Sequence, residues 1–159
     1  MTPGQIIIFM KFREMKQTDV EAVFEVRTNT RENHITLERL AALGITPESV
    51  SQDIRETSKG WVCEIEGRIG GFTIGEGTSG EVLVIAVLPD AERRGVGQEL
   101  LELVEDWLFL QGHDQICLME NPDPPIRAHG FYRKAGWEPT VEFRNEDQKS
   151  ILRKKSEDS

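Results

Sequence analysis

Apolar positions along the chain follow two periods, and together they predict a mixed α/β domain. Short runs that alternate or are continuously apolar predict strands, at residues 12–15, 61–66, 69–74, 81–88, 115–119, 137–143 and 150–153. Helical spacing predicts helices that begin near residues 18, 36 and 46, and two more over about 95–110 and 126–135. The run 81–88 is continuously apolar, which predicts a strand buried on both faces.

Capping residues and glycines predict where these elements begin and turn. Thr18 and Glu21 have the spacing of a capping box, which predicts a helix beginning at Thr18. Thr46 followed by Pro47 is typical of an N-cap with proline in the first helical position. Gly67 and Arg68 predict the tight turn of a hairpin between the second and third strands.

Two spaced glycines, Gly95 and Gly97, lie between a strand ending at Pro89 and a strongly amphipathic helix. Glycines let backbone N–H groups approach an anion closely, and a helix N-terminus attracts negative charge. This order therefore favours a phosphate-binding turn. The helix that follows has an apolar stripe at helical spacing, consisting of Val96, Leu100, Leu103, Val104, Trp107 and Leu108.

Length and charge limit the protein class. The 159 residues suffice for a single domain, 1–159, in which 1–9 read as an N-terminal extension and 154–159 as a disordered tail. The formal net charge of -9 argues against a general nucleic-acid binder. That charge suits a cationic amine substrate, although surface acidity that only maintains solubility explains it as well.

Cysteine and histidine positions indicate neither a disulfide framework nor a metal site. Cys63 and Cys117 are far apart, which fits a reducing cytoplasm, and we expect both to be buried and inert. The apolar stretch 6–10 is too short to span a membrane. No ligand spacing links the three histidines, His34, His113 and His129.

Two motifs at the right separation resemble those of the GNAT superfamily of acetyl-CoA-dependent N-acetyltransferases. The first is Val87-Leu88-Pro89 followed by Glu92-Arg93-Arg94-Gly95-Val96-Gly97, and the second is Asn121 followed by Ala128-His129-Gly130-Phe131-Tyr132 and Gly136-Trp137. The resemblance implies an α/β (α+β) fold with a mixed, mostly antiparallel sheet of about six to seven strands. It also implies helices on both faces, a splay between strands 4 and 5, and acetyl-CoA as cosubstrate.

The resemblance also implies which residues bind the cofactor. Main-chain amides of Arg93, Arg94, Gly95, Val96, Gly97 and Gln98 would hold the diphosphate, with Asn121 after the fifth strand as a further contact. Backbone groups of Ile85 and Val87 would bind the pantetheine arm. Side chains of Arg93 and Arg94 either add charge-assisted contacts or are solvated turn residues. Glu92 and Pro125 depart from the family pattern, and we expect the Glu92 side chain to turn outward or cofactor affinity to be reduced.

Catalytic candidates follow from the same resemblance. Tyr132 would protonate the departing sulfur, since a phenol remains protonated at neutral pH. Glu81 at the start of the fourth strand is the first candidate for general base, and an exposed strand-end acid explains it equally well. The region that shapes the acceptor pocket contains Glu25, Arg27, Glu32 and Asn33, for which a solvated helix end is the alternative. The tryptophans are expected in the core or at its rim, at positions 61, 107 and 137.

The sequence thus predicts transfer of an acetyl group to a primary amine of a small molecule or a peptide. An acyl-CoA-binding sensor or assembly domain with little catalysis is the alternative, which the Glu92 and Pro125 departures keep open. The interpretation as a dinucleotide-binding domain is excluded, because no second βαβ unit of the expected length follows the glycines. Exposed sheet edges would also allow a homodimer.

Overall fold

A seven-stranded sheet with helices on both faces forms the framework of the protein. The computed structural model describes residues 9–30, 35–120, 126–144 and 149–157. The strands are β1 Met10–Glu14, β2 Ser58–Ile65, β3 Arg68–Glu76, β4 Glu81–Val87, β5 Gln115–Glu120, β6 Glu138–Arg144 and β7 Lys149–Lys155. The α-helices in these ranges are α1 Val20–Thr28, α2 Leu37–Ala42, α3 Pro47–Glu56, α4 Val96–Leu110 and α5 Ile126–Lys134.

The sheet divides between β4 and β5. Its strand order is β1-β2-β3-β4-β5-β7-β6, and β4–β5 is the parallel pair among otherwise antiparallel neighbours. In the described residues, β4 and β5 pair at Glu81 with Cys117 and at Val82 with Leu118. Beyond Val82 the strands diverge and leave residues 83–87 without a β5 partner. The expected mixed sheet, seven strands and splay are confirmed.

Each face of the sheet has its own apolar core. On one face, α4 and the end of α5 pack around Leu100, Val104 and Trp137, which are at most 1% exposed. On the other face, α1 packs Val23 and Val26 against β2 and β3. Burial of complete side chains on both faces supplies most of the force that holds the helices to the sheet.

The predicted capping box of α1 is wrong. A short 3-10 helix, Gln17–Asp19, precedes α1, which begins at Val20. The Asp19 carboxylate accepts a hydrogen bond from the Lys16 N–H at 2.7 Å and two more from Arg13. A charged acceptor that also binds an arginine satisfies the turn better than the Thr18 hydroxyl. The predicted Thr46 cap is confirmed, because its hydroxyl accepts the Ser49 N–H at 3.1 Å.

The hairpin turn between β2 and β3 lies one residue earlier than predicted. Ile65 pairs with Arg68, so Glu66 and Gly67 form the turn, with φ of 51° and 80°. A two-residue hairpin of this type needs positive φ at both central positions. Arg68 therefore begins β3 instead of belonging to the turn.

The prediction that β4 is buried on both faces is wrong. Leu83 is 45% exposed, and Val84, Ile85 and Val87 are partly exposed. The splay removes β5 from this part of the strand, so one edge of β4 opens to a cleft. A β-bulge also lies here, because Ile74 pairs with Val84 while the next residue of β3 pairs with Val82. The extra residue, Leu83, changes the face on which the following side chains lie.

The sequence predicted a disordered tail from Lys154 onwards, but Lys154 and the next residue belong to a strand. Lys154 and Lys155 belong to β7, where they pair with Ile116 and Gln115. The Lys154 ammonium donates to the carboxylate of Glu105 at 2.9 Å and to a main-chain carbonyl at 2.8 Å. A residue held by these bonds and by the strand ladder is ordered.

Neither Cys63 nor Cys117 forms a disulfide, and the two differ in exposure. Cys63 is fully buried, and this burial raises the pKa of its thiol to about 11. Cys117 is only partly buried, so the expectation of a buried cysteine is wrong there. No helix in the described part of the chain is both long and apolar enough to cross a membrane.

Candidate active site

A cleft of about 540 Å³ opens where β4 and β5 diverge. Residues 82–87 form one wall, and Leu118 and Met119 of β5 form part of another. The N-terminus of α4 and the residues Ala128, Phe131 and Tyr132 of α5 lie on one side of the sheet. The end of α1 lines the cleft from the other face of the sheet. The cleft therefore passes through the gap and connects the two faces.

The loop that enters α4 has the backbone shape of an anion site. Arg93 and Gly95 have φ of 67° and 78°, whereas Arg94 between them is not in the left-handed region. Such alternation points successive N–H groups into one concavity, called a nest. Gly95 is the N-cap of α4, and the first-turn amides of a helix have no carbonyl acceptor within it. Nest and helix end together favour a bound phosphate group.

The space above the first turn of α4 depends on Gly97. A Cβ built on Gly97 would lie 3.5 Å from the Phe131 ring and 3.8 Å from a methyl group of Val87. These are ordinary van der Waals distances, and the absence of a side chain at Gly97 leaves room beside Phe131 and Val87, two residues that line the cleft. The residues present fit a nucleotide diphosphate at this position.

The charged residues of the same loop differ in whether they line the cleft. Arg93 lines the cleft, whereas Arg94 is exposed and lies outside its lining. Glu92 also lines the cleft, and its N–H donates to the carbonyl of Pro89 at 3.4 Å. An acidic residue therefore lies beside the anion site, and the two expected consequences, an outward turn of its side chain or a reduced cofactor affinity, stay predictions.

Main-chain groups of β4 face the gap at the two positions expected from the sequence. The Leu88 N–H donates to the carbonyl of Gly70 in β3 at 2.8 Å. Hydrogen-bonded and non-hydrogen-bonded pairs alternate along an antiparallel ladder. The N–H and C=O groups of Val87 and Ile85 therefore point away from β3 into the gap. An extended ligand could bind there as an added strand.

Tyr132 lies in the cleft, with its ring 5.2 Å from that of Phe131 in an edge-to-face contact. Burial, and secondarily the negative charge of Glu120, raises the pKa of the Tyr132 phenol to about 12. The phenol therefore keeps its proton throughout the neutral range and can act as a hydrogen-bond donor or acid.

An ion pair with a buried carboxylate, beside Tyr132, was not predicted from the sequence. Glu120 at the end of β5 is 6% exposed and accepts two hydrogen bonds from Arg133 at 3.2 Å each. The alternation of β5 contains the signal, since Glu120 shares the buried face with Ile116 and Leu118. The pair links β5 to α5 and holds the helix that carries Tyr132.

The other predicted site residues divide into three groups. Glu81 lies at the paired, closed end of the gap and is outside the cleft lining. Arg27 lines the cleft together with Thr30, which was not predicted, whereas Glu25 is exposed and does not line it. The remaining predicted positions lie outside the described residues, namely Glu32, Asn33, Asn121 and Pro125.

Comparison with known proteins identifies the same architecture. A family model described as an acetyltransferase (GNAT) domain matches residues 56–139. No curated protein is significantly similar to the chain in sequence.

Solved structures match almost the whole chain at low sequence identity. PaiA N-acetyltransferase from Thermoplasma acidophilum, in complex with coenzyme A, has a TM-score of 0.78 at 17% identity, over 93% of this chain and 99% of that one. The ribosomal-protein-S18-alanine N-acetyltransferase of Escherichia coli has a TM-score of 0.70 at 17% identity, over 92% and 94%. Ard1 from Thermoplasma volcanium has a TM-score of 0.69 at 20% identity, over 92% and 97%.

Proposed function

The chain belongs to the GNAT acetyltransferase family, and we propose that it transfers an acetyl group from acetyl-CoA to a primary amine of a small molecule or a peptide. Acetyl-CoA, the usual cosubstrate of the family, supplies the acetyl group as a thioester. The observation that carries the proposal is the nest at Arg93 and Gly95. This nest immediately precedes the first turn of α4, at the mouth of the β4–β5 gap.

Binding is assigned to main-chain groups. Amides of residues 93–98 hold the diphosphate, and the gap-facing groups of Ile85 and Val87 bind the pantetheine arm as an added strand. These contacts orient the thioester at the point of divergence, where an amine can approach from the α1 face. Positioning two reactants in this way removes much of the entropic barrier to their reaction.

Direct attack needs a proton taken from the amine and a proton given to sulfur. A bond forms between nitrogen and the carbonyl carbon as the carbon–sulfur bond breaks. Tyr132 is the proposed acid, because its phenol is protonated in the cleft and α5 holds it there. We propose that the amine proton leaves through water and that Glu81, at the closed end of the gap, is the base that accepts it from that water.

The second candidate function is an acyl-CoA-binding sensor with little catalysis, and one observation favours it. Among the described residues lining the cleft, the sole carboxylate is Glu92, and no histidine lines it. A sensor needs the nest and the gap but needs no base for the amine.

Thiol release in the presence of acetyl-CoA and a panel of amines separates the two functions. An enzyme releases thiol only when an acceptor is present, and Tyr132→Phe should lower kcat roughly 100-fold while leaving CoA affinity unchanged. Phe109→Leu, which alters a partly buried ring of α4 outside the cleft, is the matched control. CoA binding without turnover on any amine would favour the sensor, and no heat with CoA in calorimetry would contradict both.

Two further expectations remain proposals. A homodimer could form through the edge strand β1, where Met10 and the preceding Phe9 are 39% and 73% exposed. The lack of a disulfide at Cys63 and Cys117 supports a reducing, cytoplasmic location. Sedimentation of the wild type and of Phe9→Ser would test the first, and localisation of a tagged chain would test the second.

A further inference from the structure

Charge is unevenly distributed within the cleft. Of the described residues that line it, those with ionisable charges are Arg27, Glu92 and Arg93, apart from the neutral phenol of Tyr132. Glu92 and Arg93 belong to the loop before α4, at the diphosphate end. Arg27 belongs to α1, which covers the opposite face of the sheet. The part of the cleft on the α1 side therefore presents a cation, although the chain as a whole has a formal net charge of -9.

The position of Arg27 on α1 explains why it faces the cleft. Val23 and Val26 are each 2% exposed and face the sheet, and they fix the rotation of the helix. Arg27, near the last turn, then lines the cleft together with Thr30 just beyond the helix. The neighbouring wall is apolar, formed by Leu83 and Val84 of the bulged strand. A cationic group on an apolar wall is suited to selecting one charged group on a ligand.

Arg27 is partly buried, and this desolvation lowers the pKa of its guanidinium from the ordinary arginine value. The group still carries its charge at neutral pH, because arginine titrates far above it. A partly desolvated charge interacts with an opposite charge more strongly than an exposed one does. The guanidinium also matches the two oxygens of a carboxylate, to which it donates parallel hydrogen bonds.

We propose that the acceptor amine carries a carboxylate close to its amino group and that Arg27 recognises this carboxylate. The inference rests on the proposed acetyltransferase function and deepens it by naming the substrate class. A polycationic amine is disfavoured, because it would place a second positive charge near Arg27. Two sources of the carboxylate are compatible with this chemistry, namely a free amino acid and an acidic residue near the N-terminus of a peptide.

Matched acceptors test the proposal. Alanine is compared with alaninamide, and C-terminally amidated alanyl-aspartate with amidated alanyl-asparagine, with an alkyl diamine as the polycation. We expect at least one carboxylate acceptor to exceed its neutral partner in kcat/KM, by roughly 10-fold to 100-fold. The first pair reports on a free amino acid and the second on an acidic peptide. Equal kcat/KM within both pairs, or a preference for the diamine, would overturn the proposal.

Variants of Arg27 link the preference to this side chain. Arg27→Gln should remove the preference for the carboxylate, and Arg27→Lys should retain part of it, because lysine keeps the charge but not the paired donors. Arg39→Gln is the control, since Arg39 is exposed on α2 outside the cleft lining and the charge change is the same. Calorimetry with CoA should give the same affinity for all of these proteins, which shows that each is folded.

A binding measurement separates this inference from the proposed function. The N-acetylated forms of the same acceptors are titrated into the protein saturated with CoA. Binding of a carboxylate ligand that Arg27→Gln weakens roughly 10-fold or more supports the inference even where no acceptor turns over, and the enzyme proposal alone then fails. Turnover with no effect of Arg27→Gln on the carboxylate preference overturns the inference and leaves the enzyme proposal intact.

Discussion

Trp137 donates its indole N–H to the buried carboxylate of Glu105 at 2.7 Å. The same carboxylate accepts a hydrogen bond from the Lys154 ammonium at 2.9 Å. These bonds join α4 to the residue that precedes β6 and to β7. Glu105 is 5% exposed, and burial is the main reason that the pKa of its carboxyl is raised. The carboxylate of Glu105 is thus the shared hydrogen-bond acceptor of two side chains, one just before β6 and one in β7.

Replacing Glu105 should destabilise the fold without changing the cleft. Glu105→Gln keeps an acceptor for Trp137 but leaves the Lys154 ammonium without its counter-charge, and it should lower the free energy of unfolding by roughly 1–3 kcal/mol. Denaturant unfolding measures this. Asp106→Asn makes the same charge change at the next, exposed position and should stay within about 0.5 kcal/mol of the wild type. Equal effects of the two variants would contradict a special role for Glu105.

The left-handed conformation of Gly95 should be needed for CoA binding. Nothing lies within 4 Å of a Cβ built there, but its φ is +78°, so Gly95→Ala strains the nest by roughly 1 kcal/mol and favours a different loop shape. We expect CoA affinity measured by calorimetry to fall roughly 10-fold.

Gly112, just beyond the other end of α4, provides the matched control. Its φ is +100° and it also has open space around it, so Gly112→Ala introduces the same kind of strain away from the cleft. It should destabilise the protein while CoA affinity stays at the wild-type value. If both variants bind CoA as the wild type does, the nest is not the diphosphate site.

Tyr132 should make stability depend on pH in the alkaline range. The pKa of its phenol is raised to about 12 in the folded protein, against about 10 for an unperturbed tyrosine. Between these values the unfolded chain loses a proton that the folded protein keeps, so the free energy of unfolding falls as pH rises. The slope is about 1.4 kcal/mol per pH unit, and the contribution is intact below pH about 10.

Tyr132→Phe removes this titration, and the chain has no other tyrosine. Unfolding free energies of the wild type and the variant, measured from pH about 9 to about 11, should therefore converge or cross as the wild type loses stability. A difference that stays constant over this range would mean that the folded pKa is ordinary.

Asp19 should stabilise the protein at neutral pH but not in acid. Hydrogen bonds from Arg13 are the main reason that the pKa of this carboxyl is lowered. A lowered folded pKa gives a contribution that is present above the ordinary pKa of about 3.9 and is lost as pH falls through the folded value. Asp19→Asn should cost roughly 1–3 kcal/mol near neutral pH, and this cost should shrink in acid. Asp53→Asn, at an exposed position of α3, should show no such trend.

Local signals predicted most of the framework. The strand and helix periods, Thr46 with Pro47, and the glycines before α4 depend on neighbours within a few residues, and the structure confirms the elements they indicate. The motif resemblance is confirmed by the family match over residues 56–139. These features could be predicted because propensity, capping and positive φ are properties of short segments.

The predictions that failed or stay open depend on how side chains and strands meet in the folded protein. Asp19 replaces Thr18 as the capping acceptor because Arg13 of β1 lies beside it. Residues 83–87 are exposed because β5 diverges from them, which no pattern within β4 records. Glu81, the first candidate for general base, stays a prediction, and its place at the closed end of the gap follows from the pairing of its strand with Cys117. The first outcome depends on a side-chain contact between β1 and the turn after it, and the other two depend on where β4 and β5 pair.

The sequence by itself determined the elements, their order and the family, since each of these follows from short-range chemistry. The tertiary structure alone decided which charged side chains reach the cleft: it brings Arg27 and Tyr132 to its lining from opposite faces of the sheet, and it leaves Glu81 and Arg94 outside. The physical reason is that a splayed sheet creates a passage between its two faces. Residues more than 100 positions apart then share one cavity, as the numbers of Arg27 and Tyr132 show.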